Sequence, residues 1–111
     1  MKTIRVGLVK GRHEMPAEDY IFDADVDPMD FEGIDARVIS YLSGISGLIV
    51  RDEDPMFPYY PLEDNIKLTL YVTGLSAALA AVIRWCAKFH INLTLMHFDR
   101  DSGEYKPQPI F

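Results

Sequence analysis

IKLTLYV (66–72), TGLS (73–76), AALAAVIRWCAKFH (77–90) and INLTLMHFD (91–99) follow one another without a break, and their reading decides the fold. Ile66–Val72 is a near-continuous β-rich run, which predicts a strand covered on both faces. Leu75, Leu79, Val82, Ile83 and Cys86 recur at helical spacing, and the alanines at 77, 78, 80 and 81 let that helix lie close to a sheet. The helix is expected over about Leu75–Phe89, with Arg84 and Lys88 on its outer face and Trp85 half-buried or at an interface. Leu93–Phe98 is the next buried strand, and a right-handed crossover makes it parallel to Ile66–Val72. Between strand and helix, Thr73-Gly74-Leu75-Ser76 aims backbone N–H groups and two hydroxyls at one point. Such a point attracts an anion, phosphate above all.

Upstream, Lys2–Val9 alternates Ile4, Val6 and Leu8 as a strand does, and Gly7 allows close backbone approach. A charged turn follows at Lys10-Gly11-Arg12-His13-Glu14-Met15-Pro16, then a short extended piece at Tyr20–Phe22. Asp27-Pro28-Met29-Asp30 reads as a helix start, with Asp27 as N-cap and Pro28 at the first helical position. Phe31, Ile34, Val38 and Tyr41/Leu42 continue that helix, and Gly44 suits its end. Leu48-Ile49-Val50 predicts a short strand. Arg51–Asp64, with three prolines and five acidic residues, predicts a loop whose aromatics Phe57, Tyr59 and Tyr60 either fold onto the core or meet a partner. Downstream, Asp99–Gly103 has turn chemistry, and Glu104–Lys106 returns as an antiparallel edge strand ended by Pro107. The expected architecture is one α/β domain over residues 1–111, a small three-layer sandwich with a mostly parallel, Rossmann-like sheet and a C-terminal antiparallel edge strand.

Composition narrows the function classes. At 111 residues the chain is long enough for one core, and 49% hydrophobic with 25% charged residues is a globular balance. A net charge of −6 opposes binding to long nucleic acids, whose affinity comes from phosphate neutralisation by Lys and Arg. The lone cysteine, Cys86, excludes an intramolecular disulfide and a cysteine-based zinc cluster. The three histidines show no metal-ligand spacing, so neither a metal nor a cofactor is expected. The apolar run at the start is broken by charges, and the one at 68–83 is split by Thr73-Gly74, so no leader or membrane span is expected and the cytoplasm is the simplest location.

In parallel α/β sheets, ligands collect outside the carboxyl ends of the strands. Three turns are expected there. The first carries Lys10, Gly11, Arg12 and His13; the second Thr73, Gly74, Leu75 and Ser76; the third His97, Asp99 and Arg100. A small phosphorylated ligand would be bound by Lys10, Gly11, Thr73, Gly74, Leu75, Ser76 and Asp99, with Arg12, His13 and His97 available for catalysis. Other readings stand beside this one. Thr73 and Ser76 also suit ordinary helix capping, Lys10 to Glu14 a solvated turn, His97 a satisfied half-buried histidine and Asp99 a hairpin turn. His90 sits where it complements a helix dipole. Arg12-His13-Glu14 lacks the glycine of the histidine phosphatase signature, and the chain is too short for that fold.

The strand–TGLS–helix–strand unit of Leu70–Asp99, on a chain of this size, resembles the small Rossmann-like accessory proteins of type III CRISPR systems, the ring-nuclease-like and sensor-like families. That resemblance covers about a third of the chain. It implies a homodimer that binds a cyclic oligoadenylate, with Thr73, Gly74 and Ser76 on the phosphates. If such a protein cleaves, it works without a metal: a substrate 2′-hydroxyl attacks the adjacent phosphorus, Arg12 and Lys10 stabilise the charge, and His97 or His13 moves a proton. Lys10, Arg12 and His97 enter by position only, since no family motif matches them. A non-catalytic nucleotide binder and a structural or interaction domain of a phage or defence system are the alternatives. An acidic domain with Trp85 and a proline-aromatic loop also suits a two-fold homodimer.

Overall fold

The computed structural model describes residues 2–11, 16–17, 19–46, 49–50, 59–60 and 66–111. Its elements in chain order are β1 (Lys2–Val9), β2 (Asp19–Phe22), α1 (Phe31–Ser46), β3 (Ile49–Val50), β4 (Tyr59–Tyr60), β5 (Ile66–Tyr71), α2 (Ser76–Lys88), β6 (Asn92–Asp99) and β7 (Glu104–Pro109). Five strands form the main sheet in the order β2-β1-β5-β6-β7. Neighbours are parallel except β6 and β7, which are antiparallel. The expected small α/β fold, mostly parallel with an antiparallel C-terminal strand, is the one observed. Tyr59–Tyr60, expected as loop, pairs antiparallel with Ile49–Val50 in a separate two-stranded ladder.

Layering is where the fold departs from expectation. The connections β2–α1–β5 and β5–α2–β6 both step in the same direction along the sheet. Two right-handed crossovers of that kind put both helices on one face. The helices pack side by side, and Trp85 Nε1 on α2 donates to Asp35 Oδ1 on α1 at 2.9 Å. The described residues therefore make two layers, a sheet and a helix pair, in place of three. Between them lie Val6, Leu8, Ile21, Leu68, Leu70, Leu93 and Leu95 from the strands, and Ile34, Val38, Leu42, Val82, Cys86 and Phe89 from the helical side, all buried. Alternation sends the other residues of each strand to the opposite face. There Lys67 and Thr69 of β5 are only half-buried, so β5 is not sealed on both faces.

Both edges of the sheet are blunted. Ile110 donates its N–H to Leu93 O at 2.8 Å, which fixes the ladder phase: Gln108 and Lys106 also face β6, while Pro107 and Pro109 face outward. The strand therefore runs through both prolines instead of ending at Pro107, because neither interrupts a hydrogen bond to β6. On the other edge, Lys10 N donates to Phe22 O at 3.0 Å, so Ile21 O points outward, and Arg37 Nε from α1 occupies it at 2.6 Å. Neither edge offers a clean row of amides and carbonyls to another strand.

The helix starts also shift. Asp27 Oδ1 accepts from Met29 N at 3.0 Å, forming a turn rather than a cap. The N-cap of α1 is Asp30: its carbonyl accepts from Ile34 N at 2.9 Å and its Oδ1 from Gly33 N at 3.1 Å. A Cβ on Gly33 would crowd the Asp30 carboxylate, so the glycine makes room for the capping group. At the other end α1 runs past Gly44 to Ser46.

Candidate functional site

β5 ends at Tyr71, which pairs with Gly7 of β1 and Met96 of β6. That register brings the Lys10-Gly11 turn, the 73–76 turn and the end of β6 to one edge of the sheet, its carboxyl end. Gly11 has φ +83, a left-handed conformation that favours glycine, and Lys10 beside it is exposed. Arg12 and His13 lie outside the described residues.

The 73–76 turn is the most informative part of this edge. Leu75 N donates to Thr73 O at 2.6 Å, folding the chain tightly, and Leu75 is the N-cap of α2 with φ −96 and ψ 92. Among the described residues no side-chain hydrogen bond caps the helix. Capping by Thr73 or Ser76 is thereby overturned: a leucine holds the N-cap position, Ser76 is the first helical residue, and the Thr73 hydroxyl bonds nothing. The first amides of α2 point out of the helix end, where the helix dipole is positive. Thr73 is 3% exposed, and its Oγ1 is buried without a hydrogen-bond partner. A buried hydroxyl left unpaired costs about 1–3 kcal/mol. Gly74 is exposed, and a Cβ there would meet nothing within 4 Å, so the fold itself does not demand glycine at this position.

On β6, alternation puts His97 and Asp99 on the face that carries the helices, in line with Leu93 and Leu95. His97 Nε2 lies 2.7 Å from Gln108 Oε1, a hydrogen bond that ties the imidazole to β7. Asp99 is engaged in its own turn, accepting from Asp101 N and from Ser102 Oγ, each at 3.0 Å. Its carboxylate shapes the hairpin that begins β7.

At the far end of α2, Ile91 N donates to Cys86 O at 3.0 Å and His90 N approaches Ala87 O at 3.4 Å, a Schellman pattern. His90 is the residue in the left-handed position, φ 58, a place usually given to glycine. Burial pushes the Cys86 thiol up to about 12, so no thiolate nucleophile exists at neutral pH. Burial, then Asp19, raises the Tyr41 phenol to about 12 against the opposing pull of Arg37. Among the described residues no group of three or more His, Cys, Asp or Glu could hold a metal ion.

The described cavities do not include the turn. One of about 590 Å³ lies at the amino end of the sheet, between Arg5, Asp19 and Tyr41. One of about 290 Å³ is lined by Asp23, Asp25, Asp27, Asp30 and Arg37, and one of about 270 Å³ runs between the helices. At the 73–76 turn, Gly74 and Ser76 are exposed and Thr73 is buried. Sequence reasoning missed the Asp35–Trp85 bond, which ties the indole inside the chain, and the Arg37 contact at the β2 edge. Asp35 and Trp85 lie 50 residues apart, and no local spacing signals their contact. Among the described residues no helix is long and apolar enough to cross a membrane. Compared with protein-family models, with curated proteins and with solved structures, the chain matches none.

Proposed function

We propose that the protein binds a small phosphorylated ligand on the Thr73-Gly74-Leu75-Ser76 turn, and that cyclic oligonucleotides and mononucleotides are the ligand class to test first. The observation that carries this reading is the N-terminus of α2, which no side chain caps, next to the buried and unpartnered Thr73 hydroxyl. An anion there would accept from the leading amides without displacing any protein group. Lys10 and Gly11 lie at the same edge and add a cation and an open backbone. A single phosphate group suits the site better than a polyanion, given the net charge of −6.

Turnover of such a ligand needs a group that moves a proton. His97 is the candidate at this edge among the described residues, its imidazole held by Gln108. A homodimer belongs to the same reading. The prolines of β7 and Arg37 at β2 oppose assembly by strand addition, so two copies would meet through another surface.

The test is calorimetric titration of the ligand panel into wild type, Gly74→Val and Ser76→Ala, with melting temperatures alongside. Both variants keep the wild-type melting temperature, because the Gly74 Cβ position is open and Ser76 is exposed. Gly74→Val loses binding by blocking backbone approach, and Ser76→Ala weakens it by about 1.5–3 kcal/mol, one hydrogen bond to a charged group. Equal affinity in all three proteins, or no binding to wild type, overturns the reading. Chromatography of the bound ligand after incubation separates a binder from a phosphodiesterase.

A further inference from the structure

Met29 and Phe31 are the most exposed large hydrophobic residues described, at 75% and 60%. They stand together at the start of α1, and Phe31 N donates to Met29 O at 3.1 Å, which fixes their spacing. Phe31 is also a wall of the groove between the helices. That groove has a volume of about 270 Å³, and Ile34, Ala77, Ala80 and Ala81 form its apolar lining. The alanines keep it shallow enough for a side chain from outside to reach Ile34.

Around this apolar strip negative charge predominates. Between Asp19 and Asp35 the chain places seven carboxylates, Asp19, Asp23, Asp25, Asp27, Asp30, Glu32 and Asp35, and no lysine or arginine. Asp23, Asp25, Asp27 and Asp30 line the adjoining cavity of about 290 Å³. Two cations border these carboxylates: Arg37 lines the adjoining cavity and donates to Ile21 O, and Arg84 lines the groove 5.3 Å from the Trp85 ring centroid, so negative charge predominates. Apolar anchors inside a carboxylate rim favour a partner of the opposite pattern. Nucleic acid, an anionic membrane and a second copy of this acidic chain would each bring like charge to the rim.

We propose that the Met29–Phe31 strip and the interhelical groove dock a basic amphipathic helical segment of another protein, with its apolar side chains in the groove and its Lys or Arg residues on the Asp23–Asp35 rim. This surface is independent of the anion site and does not rest on it. An apolar face seated in a groove supplies affinity, and the complementary charges supply orientation and on-rate.

The test uses the full chain and two fluorescein-labelled synthetic helices of about 18 residues with the same leucine face, one with lysines and one with glutamates on the polar face. Anisotropy is read at low and at physiological salt. The lysine peptide binds at least about tenfold more tightly than the glutamate peptide. Met29→Ser/Phe31→Ser, which leaves the charge unchanged and alters only exposed side chains, loses about tenfold for the lysine peptide. Asp27→Asn/Glu32→Gln loses affinity, whereas Asp101→Asn/Glu104→Gln, an equal loss of charge at the β6–β7 turn, does not. Circular dichroism confirms the fold of each variant. Equal losses in the two charge variants together with no loss in Met29→Ser/Phe31→Ser would reduce the effect to general acidity and overturn the proposal. Sedimentation showing a wild-type dimer that Met29→Ser/Phe31→Ser dissociates would assign the strip to a second copy and overturn it equally.

Discussion

The two helices lie side by side on one face of the sheet, yet their N-termini are finished in opposite ways. At α1 the chain supplies its own anion: Asp30 caps the helix, and Gly33 leaves space for the carboxylate. At α2 a leucine occupies the N-cap, and among the described residues no side chain caps the helix and the nearby Thr73 hydroxyl has no partner. Both ends carry the same partial positive charge. One is neutralised within the fold and the other is left to solvent or a ligand. The contrast teaches that a polar turn sequence does not reveal whether its polar groups serve the helix or something outside it.

The strongest way to break the contrast is to give α2 what α1 has. Leu75 already has the extended backbone of an N-cap, so Leu75→Asp should place a carboxylate on the free amides. Calorimetry should then show loss of binding of any phosphorylated ligand by at least about tenfold, since a like charge occupies its seat. Unchanged affinity would remove the α2 end from the site. Next in size is Thr73→Val, which deletes the unpaired buried hydroxyl. In the absence of ligand it should raise stability in urea by about 1–3 kcal/mol, and destabilisation would mean that the hydroxyl has a partner in solution.

Asp30→Ala approaches the contrast from α1. It should cost about 1 kcal/mol by thermal unfolding, while the same substitution at Leu75 removes no cap. The smallest effect is expected at the C-terminal end of α2. His90→Gly relieves a left-handed backbone at a non-glycine residue but loosens the unfolded chain, for a net gain of about 0.5–1 kcal/mol in chemical denaturation. A loss of stability would mean that the His90 side chain contributes more than the backbone strain removes.

The strands of the main sheet and the second helix were legible because their signals are local, whereas Tyr59–Tyr60, read as loop, is a strand. Lys2–Val9 is a strand as its alternation requires, and the helix expected over Leu75–Phe89 spans Ser76–Lys88. Burial in α2 falls on Ala78, Ala81, Val82 and Cys86, with Leu75, Leu79 and Ile83 at the flank. The small residues thus face the tightest packing and the larger ones fill its margin. The α1 start was misplaced by three residues because Asp27-Pro28 and Asp30 are both acceptable caps by type. Geometry around Gly33 decides between them, and that geometry exists only once the turn has formed. Of the site, the carboxyl-edge grouping of Lys10, Gly11, Thr73 to Ser76, His97 and Asp99 followed from strand direction. That Asp99 holds its own turn and His97 meets Gln108 did not.

By itself the amino-acid sequence determined the strands of the main sheet and the two helices as elements, the parallel pairing of β5 with β6, and the acidic, single-cysteine character of the chain. These depend on periodicity, β-propensity and charge, which act over a few residues or over composition as a whole. Tertiary structure alone decided that both helices share a face, that Trp85 is held by Asp35 and that Pro107 and Pro109 face outward from the sheet. It also decided that the α2 end stays uncapped. Each of these depends on which distant segment arrives alongside and in what register, a matter settled by packing across the whole sheet and invisible to any local spacing.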